Sequence, residues 1–266
     1  MASFHVLTGA DDRLAYPTIR RIRVADLFAA LRQGWSDFLE KPSHYVFLCL
    51  IYPIVGVLLA LWTSGNNALP LLYPLMSGFA LVGPFAAIGL YEISRRREAG
   101  LDTSWRHAFE VLRSPAIPSI IAVGAGLFAL FYLWLASAET LYQNLFGLSA
   151  PESLGTFLNQ IFTTPEGWML ILWGNAIGFV FALVTLCATV IAFPLLIDRD
   201  TGVTVAIVTS ARAVAANPLP MAIWGLLVAF GLVIGSILLF VGLAVVMPVF
   251  GHATWHLYRK VIAPAE

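Results

Sequence analysis

Long apolar runs separated by short polar segments dominate the pattern along the chain. A helix needs roughly 20 consecutive apolar residues to cross a bilayer, so six of these runs predict transmembrane helices. The last two come from one uncharged stretch, Leu219–Tyr258. As one helix this stretch would be about 60 Å long, twice the hydrocarbon core, so we predict a turn near Gly235-Ser236. The predicted spans are residues 43–62, 69–91, 116–136, 168–196, 219–236 and 238–258.

A short amphipathic segment and a proline precede each pair of spans. In the first segment the apolar positions recur at steps that place them on one helix face. These positions are Val24, Leu27, Phe28, Leu31, Trp35 and Phe38. Similar segments end before Pro115 and Pro218, because the residue before a proline is displaced from the helical region. We expect all three amphipathic helices to lie in the cytoplasmic interface of the membrane.

The second helix of each pair also carries a proline toward its inner end, at Pro84, Pro194 and Pro248. Together with the prolines that precede each pair, these positions predict an internal repeat. One unit would consist of a surface helix, an Xaa-Pro step, an outgoing span, a loop and an incoming span. The alternative is three similar hairpins shaped only by the membrane interface.

Composition supports the membrane assignment. Of the 266 residues, 59% are hydrophobic and 11% are charged, whereas about 25% of a soluble domain is charged. This excludes an ordinary cytosolic enzyme, a nucleic-acid-binding domain and a disordered chain. The two cysteines, Cys49 and Cys187, fall inside apolar runs and read as small buried hydrophobic residues.

The positions of the charges predict the orientation. With six spans, all 15 Lys and Arg residues fall on the side that holds both termini, which the positive-inside rule identifies as cytoplasmic. The expected fold is an all-α membrane protein with three hairpins, each preceded by a cytoplasmic amphipathic helix. Residues 1–23 are the predicted cytoplasmic tail, residues 24–266 form one six-helix transmembrane domain, and residues 137–166 form a periplasmic segment with two short helices.

Two histidines near the end of the sixth span are the clearest candidates for a cofactor site. His252 and His256 are four residues apart and project from one helix face. Two imidazoles at this spacing can share a metal ion, and one could ligate haem. His44 and His107 lie at the same predicted level. The alternative interpretation is an interfacial belt of His, Trp and Tyr side chains. We therefore predict no bound cofactor or metal.

Other candidates concern helix packing and polar contacts. Asn175 is the only amide well inside a span, where it could bond to a neighbouring helix or contact a solute. Two Gly-xxx-Gly pairs predict close helix packing, namely Gly174 with Gly178 and Gly231 with Gly235. Near the cytoplasmic side, Glu92 with Arg95 and the run Asp198-Arg199-Asp200 read as solvated helix ends, although two carboxylates could bind a cation.

Three sequence blocks resemble a bacterial family of predicted integral membrane proteins with a domain of unknown function. The blocks are Phe193–Asp200, Thr209–Arg212 followed by Asn217-Pro218, and Pro248 with Gly251–Arg259. Some members of the family are labelled cytochrome c oxidase subunit I-like. The resemblance implies the bacterial inner membrane and association with a respiratory complex.

The leading functional hypothesis is a non-catalytic, accessory or scaffold component of a larger membrane complex. No nucleotide-binding, zinc-protease or nucleophile-elbow motif occurs, so we do not expect an enzyme. The expected partners are membrane lipids and other membrane-protein subunits, and no nucleic acid. The alternatives are a transporter or channel for a small solute, with Asn175 lining the path, and a haem- or metal-binding protein using His252 and His256.

Overall fold

A computed structural model describes residues 6–8, 16–40, 54, 58, 61, 69–148, 151, 153–237 and 241–264. Within these residues every named element is a helix, and one isolated antiparallel bridge joins Ile19 to Ile262. The predicted all-α class is therefore confirmed. The first predicted span, 43–62, lies almost entirely outside the described residues, as do His44 and Cys49.

The helices follow one another with short connections. The α-helices of the described residues are α1 (Val24–Glu40), α2 (Leu72–Ala86), α3 (Ile88–Glu98), α4 (Ile117–Phe146), α5 (Leu154–Thr163), α6 (Pro165–Thr189), α7 (Ala192–Asp198), α8 (Gly202–Ala216), α9 (Pro218–Ile237) and α10 (Leu243–Val261). Two 3-10 helices precede α2 and α4, at Leu69–Leu71 and Trp105–Arg113.

Three helical segments within the described residues are long and apolar enough to cross a membrane. They are Ile117–Phe146, Pro165–Asp198 and Pro218–Ile237. These segments lie over the third, fourth and fifth predicted spans. Large apolar side chains on them are exposed, including Leu172 at 67% and Leu226 at 69%. Lipid tails are the natural surroundings for such faces, because a soluble monomer rarely exposes a continuous apolar surface. The six-span hairpin layout stays a prediction.

The other predicted spans have different helix boundaries. Residues 69–91 form a 3-10 turn, α2 and the start of α3, with a break at Ala87. Pro84 lies inside α2, one turn before this break. A second break separates α6 from α7 at residues 190–191. By contrast, α10 continues through Pro248 from Leu243 to Val261.

The predicted periplasmic segment also differs from its expected form. Residues 138–146, expected as a separate short helix, continue α4 without interruption to Phe146. The following helix, α5, begins at Leu154, because Ser153 caps it by accepting a hydrogen bond from the Thr156 backbone at 3.1 Å. The amphipathic segment before α4 is a 3-10 helix rather than an α-helix.

The chain divides into two compact units. The first unit comprises Met1–Pro53, Gly83–Ala125 and Leu186–Glu266. Here α1 packs along α10, with Gly34 against the backbone of Ala253. A Cβ atom on Gly34 would lie 2.5 Å from the Ala253 nitrogen, so this approach requires glycine. The helices α3 and α7 contact α10 and each other, and α8 packs on α7.

The second unit comprises Ile54–Val82 and Gly126–Thr185. One of its apolar clusters is formed by Leu81, Trp134 and Ala138. The indole N–H of Trp134 donates to the backbone oxygen of Pro74 at 2.8 Å, so its one polar atom is satisfied inside the cluster. A second cluster brings together Leu69, Tyr142 and Phe157.

Candidate functional site

A buried carboxylate at the end of α1 is the centre of the main polar cluster in the first unit. Oδ1 of Asp37 accepts from the Arg97 guanidinium at 2.6 Å. Oδ2 accepts from the Ser94 hydroxyl at 2.6 Å and from Nε2 of His256 at 2.9 Å. These donors lie on α3 and α10, so one carboxylate joins three helices. Three donors compensate for taking the charge out of water.

His252 joins the same cluster through Ser94. Its Nδ1 atom lies 2.8 Å from the Ser94 hydroxyl oxygen and 3.9 Å from Oδ2 of Asp37. The single hydroxyl proton of Ser94 goes to Asp37, so Nδ1 of His252 is the donor to the serine oxygen. His252 and Ser94 are fully buried. This chain of hydrogen bonds holds the His252 ring and the Ser94 hydroxyl in place between the packed helices.

Two opposing influences set the pKa of Asp37. Burial raises it, while the hydrogen bonds from His256 and Ser94 and the charges of both histidines lower it. The net pKa lies below the ordinary value of an aspartate. Asp37 is therefore ionised at neutral pH, which matches its pairing with Arg97.

A second polar cluster ties α10 to α3 and α7. Glu98 accepts from the Trp255 indole at 3.0 Å and from Arg259 Nε at 2.9 Å. The Tyr258 hydroxyl donates to Asp198 at 2.5 Å. Asp198, expected as a solvated helix end, is thus a partly buried acceptor for the last turn of α10.

The two ends of the described chain are held together beside these clusters. The backbone nitrogen of Arg20 donates to Val261 at 2.7 Å, and its guanidinium donates to the carbonyl of Arg259 at 2.9 Å. Buried Asn217 binds the same strand-like segment from the other side. Its amide accepts from the Ile22 backbone at 2.8 Å and donates to the Arg20 carbonyl at 3.1 Å.

A cleft of about 360 Å³ lies between α3, the 3-10 helix Trp105–Arg113 and α7. Its lining residues are Glu92, Arg95, Glu110, Val111, Arg113, Ser114, Pro115 and Ile197. The predicted Glu92–Arg95 pair is present, with Arg95 Nε 2.7 Å from one carboxylate oxygen and Nη2 2.8 Å from the other. The carboxylate of Glu92 is buried rather than solvated.

His107 forms a separate polar group next to this cleft. Its Nδ1 lies 2.5 Å from Glu110, and its Nε2 lies 2.8 Å from Asp102. These two hydrogen bonds, first that to Glu110, raise the pKa of His107 above the ordinary histidine value. The same contact lowers the pKa of Glu110. The imidazole therefore acts as a bridge between two carboxylates.

The structure places the predicted cofactor residues in hydrogen bonds with protein groups. Nδ1 of His252 is hydrogen-bonded to Ser94, and Nε2 of His256 is hydrogen-bonded to Asp37. One ring nitrogen of each histidine is therefore occupied by the polar cluster. A metal site needs several converging ligands. In the described part of the chain, no group of three or more His, Cys, Asp or Glu side chains is arranged to hold a metal ion.

The predicted packing residues lie in two different settings. In the second unit, Asn175 accepts from the Tyr73 hydroxyl at 2.9 Å and donates to the Ile171 carbonyl at 2.7 Å. A Cβ on Gly178 would lie 3.2 Å from the Trp134 ring, whereas one on Gly174 would lie 3.9 Å from Leu141.

In the first unit, the second glycine pair lies between α9 and α10. A Cβ on Gly231 would overlap the Phe250 ring, and one on Gly235 would lie 2.8 Å from Leu243. The two helices therefore pack closely at both glycines, with Gly242 of the following segment against Gly235.

Sequence reasoning missed Asp37, Ser94 and Asn217. The six apolar positions that define the first amphipathic segment leave Asp37 off the apolar face, whereas α1 buries Leu27, Ala30, Gly34, Asp37 and Phe38. Phe28 and Trp35, assigned to the apolar face, are exposed at 54% and 46%. The Ala30-xxx-Gly34 spacing was the available signal, because small residues one turn apart mark the face of closest helix approach.

These features define the class of the protein: it is an integral membrane protein whose described residues include three candidate transmembrane helices and a buried polar cluster. Residues 71–198 match the model of a family described as "Predicted integral membrane protein (DUF2189)". The predicted resemblance to a family of integral membrane proteins with a domain of unknown function is therefore confirmed over these residues. Of the three blocks that carried the resemblance, Phe193–Asp198 falls inside the matched range. No curated protein and no solved structure is significantly similar to the chain.

Proposed function

We propose that the protein is a non-catalytic component that packs beside, and stabilises, a larger complex of the bacterial inner membrane. One observation carries this proposal: a face of small side chains is exposed on the apolar helix α4. Ala122, Ala125, Gly126 and Ala129 recur at steps of three and four and are exposed. A Cβ built on Gly126 meets no atom within 4 Å.

A row of small residues has a specific use in a bilayer. A helix face that only contacts lipid can carry apolar side chains of any size. Small residues at helical spacing let the backbone of a second helix approach closely, which strengthens packing and weak Cα–H hydrogen bonds. The exposed face of α4 therefore suits a transmembrane helix of another subunit. A respiratory complex is the partner class that the family resemblance implies.

The polar clusters support the non-catalytic part of the proposal. A general acid, base or nucleophile must reach a bound substrate. The Asp37 carboxylate accepts hydrogen bonds from Ser94, Arg97 and His256. The Ser94 hydroxyl is fully buried. These groups hold helices together, which is a role in stability and specificity of packing rather than in turnover.

Mild solubilisation of native membranes tests the proposal. We compare the tagged wild-type protein with Gly126→Leu and Ala129→Leu, which fill the small-residue face. The matched control is Ala229→Leu, which adds the same bulk at an exposed position of α9. On native gels, we expect wild type and Ala229→Leu in a complex larger than the protein itself, and loss of that complex in the α4 variants. A wild-type protein that runs alone would contradict the proposal, as would three variants that behave alike.

A further inference from the structure

The cleft between α3, the 3-10 helix Trp105–Arg113 and α7 has the size and lining of a ligand site. Its volume of about 360 Å³ lies within the range of about 300–1,000 Å³ that is usual for small-molecule pockets. Three of the lining residues are apolar, namely Val111, Pro115 and Ile197. The other lining residues include charges of both signs.

The charged side chains of the lining differ in how many hydrogen bonds they already make. Glu92 is bound at both oxygens by Arg95. Glu110 accepts from Arg96 at 2.7 Å and contacts His107, yet a carboxylate has about four acceptor positions and retains capacity for one more donor. Arg113 is exposed and makes no side-chain hydrogen bond or ion pair within the part of the chain that the structure describes. Within the described residues, the cleft thus offers a guanidinium that makes no hydrogen bond beside a carboxylate that can still accept one.

We propose that this cleft binds the headgroup of a phospholipid that carries a primary ammonium group next to its phosphate. The phosphate would bind Arg113 and the hydroxyl of Ser114, and the ammonium would donate to Glu110. A purely anionic headgroup would leave Glu110 as a repulsive neighbour, and a quaternary ammonium has no N–H to donate. The mixed lining therefore selects the zwitterion with N–H donors.

The surroundings favour a lipid over a soluble compound with the same headgroup. Ser114 and Pro115 lead directly into α4, and its first turn exposes Pro118 and Ile121. An acyl chain has an apolar path along these residues, and its headgroup remains beside Arg113. Basic pockets between transmembrane helices on the cytoplasmic side bind lipid headgroups. This inference rests on the charges of the cleft and not on the packing proposal.

Lipid titrations of the purified full-length protein, followed by native mass spectrometry, test the inference. The probes are dioleoyl phosphatidylethanolamine, phosphatidylcholine and phosphatidylglycerol, together with soluble glycerophosphoethanolamine. We expect phosphatidylethanolamine to bind most tightly. Equal binding of the three lipids would overturn the proposal. Binding of glycerophosphoethanolamine as tight as that of the lipid would overturn the assignment to a membrane lipid.

Three variants locate the site. Arg113→Gln removes a charge-assisted contact to phosphate and should weaken phosphatidylethanolamine binding about tenfold. Glu110→Gln should remove the preference over phosphatidylglycerol and leave phosphatidylglycerol binding unreduced. The control is Arg106→Gln, an exposed arginine of the same 3-10 helix outside the cleft lining, which should bind as wild type. If Arg113→Gln and Arg106→Gln bind alike, the cleft is not the site. Circular dichroism spectra matching wild type show that each variant is folded.

Discussion

Nε2 of His256 donates to Oδ2 of Asp37 over 2.9 Å, although the two residues are 219 positions apart. The bond joins the first amphipathic helix to the last helix of the chain. Arg97 and Ser94 add α3 to the same carboxylate. A single ionised side chain therefore connects helices that no local sequence rule brings together.

Neutralising this carboxylate should destabilise the protein. Asp37→Asn keeps the size of the side chain but removes the charge that Arg97 and His256 compensate. We expect the free energy of unfolding to fall by about 2 kcal/mol, measured as a lower thermal midpoint in detergent. Asp26→Asn in the same helix is the control, because Asp26 accepts a hydrogen bond from the Arg23 backbone at the helix start and joins no other helix within the described residues. Similar midpoints for the two variants would count against the role of Asp37.

The stabilisation by Asp37 should disappear in acid. Its pKa in the folded protein is lower than its ordinary value. A group of this kind contributes stability above its unfolded-state pKa, about 3.9, and loses it as the pH falls through the folded-state pKa. The midpoint difference between wild type and Asp37→Asn should be constant near pH 7 and shrink below about pH 4. A difference independent of pH would refute this account.

The contact between Gly34 and Ala253 should tolerate no side chain. In Gly34→Ala, the new Cβ would lie 2.7 Å from the Ala253 Cα atom, so α1 and α10 must separate. We expect a loss of about 1–3 kcal/mol of stability. Gly126→Ala is the matched control, because nothing lies within 4 Å of its Cβ position. Alanine there should stabilise the helix by about 0.5–1 kcal/mol. Thermal midpoints that shift in the same direction would contradict the prediction.

The hydrogen bonds of Asn217 should protect the segment before α1 from proteolysis. Asn217→Ala removes the bonds to Ile22 and Arg20 and leaves their backbone groups without this partner. We expect a cost of about 1–3 kcal/mol and faster trypsin cleavage after Arg20 and Arg23. Asn175→Ala, in the second unit, should leave this cleavage rate unchanged. Equal cleavage of all three proteins would show that the amide does not hold the segment.

Local rules predicted much of the helical framework. The segment ends before Pro115 and Pro218 agree with the ends of the 3-10 helix and α8 at Arg113 and Ala216. This succeeded because proline acts on its immediate predecessor. The breaks at Ala87 and at residues 190–191 were not predicted, since helix interruption also depends on packing around the proline.

The polar cluster around Asp37 could not be predicted from local sequence patterns. The apolar pattern of α1 puts Phe28 and Trp35 on a face toward lipid or the bundle and leaves Asp37 off it, because hydrophobicity alone cannot distinguish a lipid-facing side from a protein-facing side. Asp37 is buried only because α3 and α10 supply donors at that position. The pairing of Ser94 with His252 likewise follows from a contact between α3 and α10 rather than from sequence spacing.

The internal repeat stays a prediction. The contacts between helices show one feature that the three predicted units share. Each amphipathic segment packs on the second helix of a predicted hairpin: α1 on α10, the 3-10 helix Trp105–Arg113 on α3, and α8 on α7. The first of these contacts joins the two ends of the chain. The other two join neighbours in sequence.

The central claim is that the small-residue face of α4 is a contact with another membrane protein. Photo-crosslinking in native membranes tests it most directly. A diazirine amino acid placed at residue 125 or 129 lies on that face, and one at Leu226 lies on an exposed face of α9. The account predicts a discrete protein adduct from both α4 positions and only lipid adducts from position 226. Lipid adducts alone from residues 125 and 129 would contradict it.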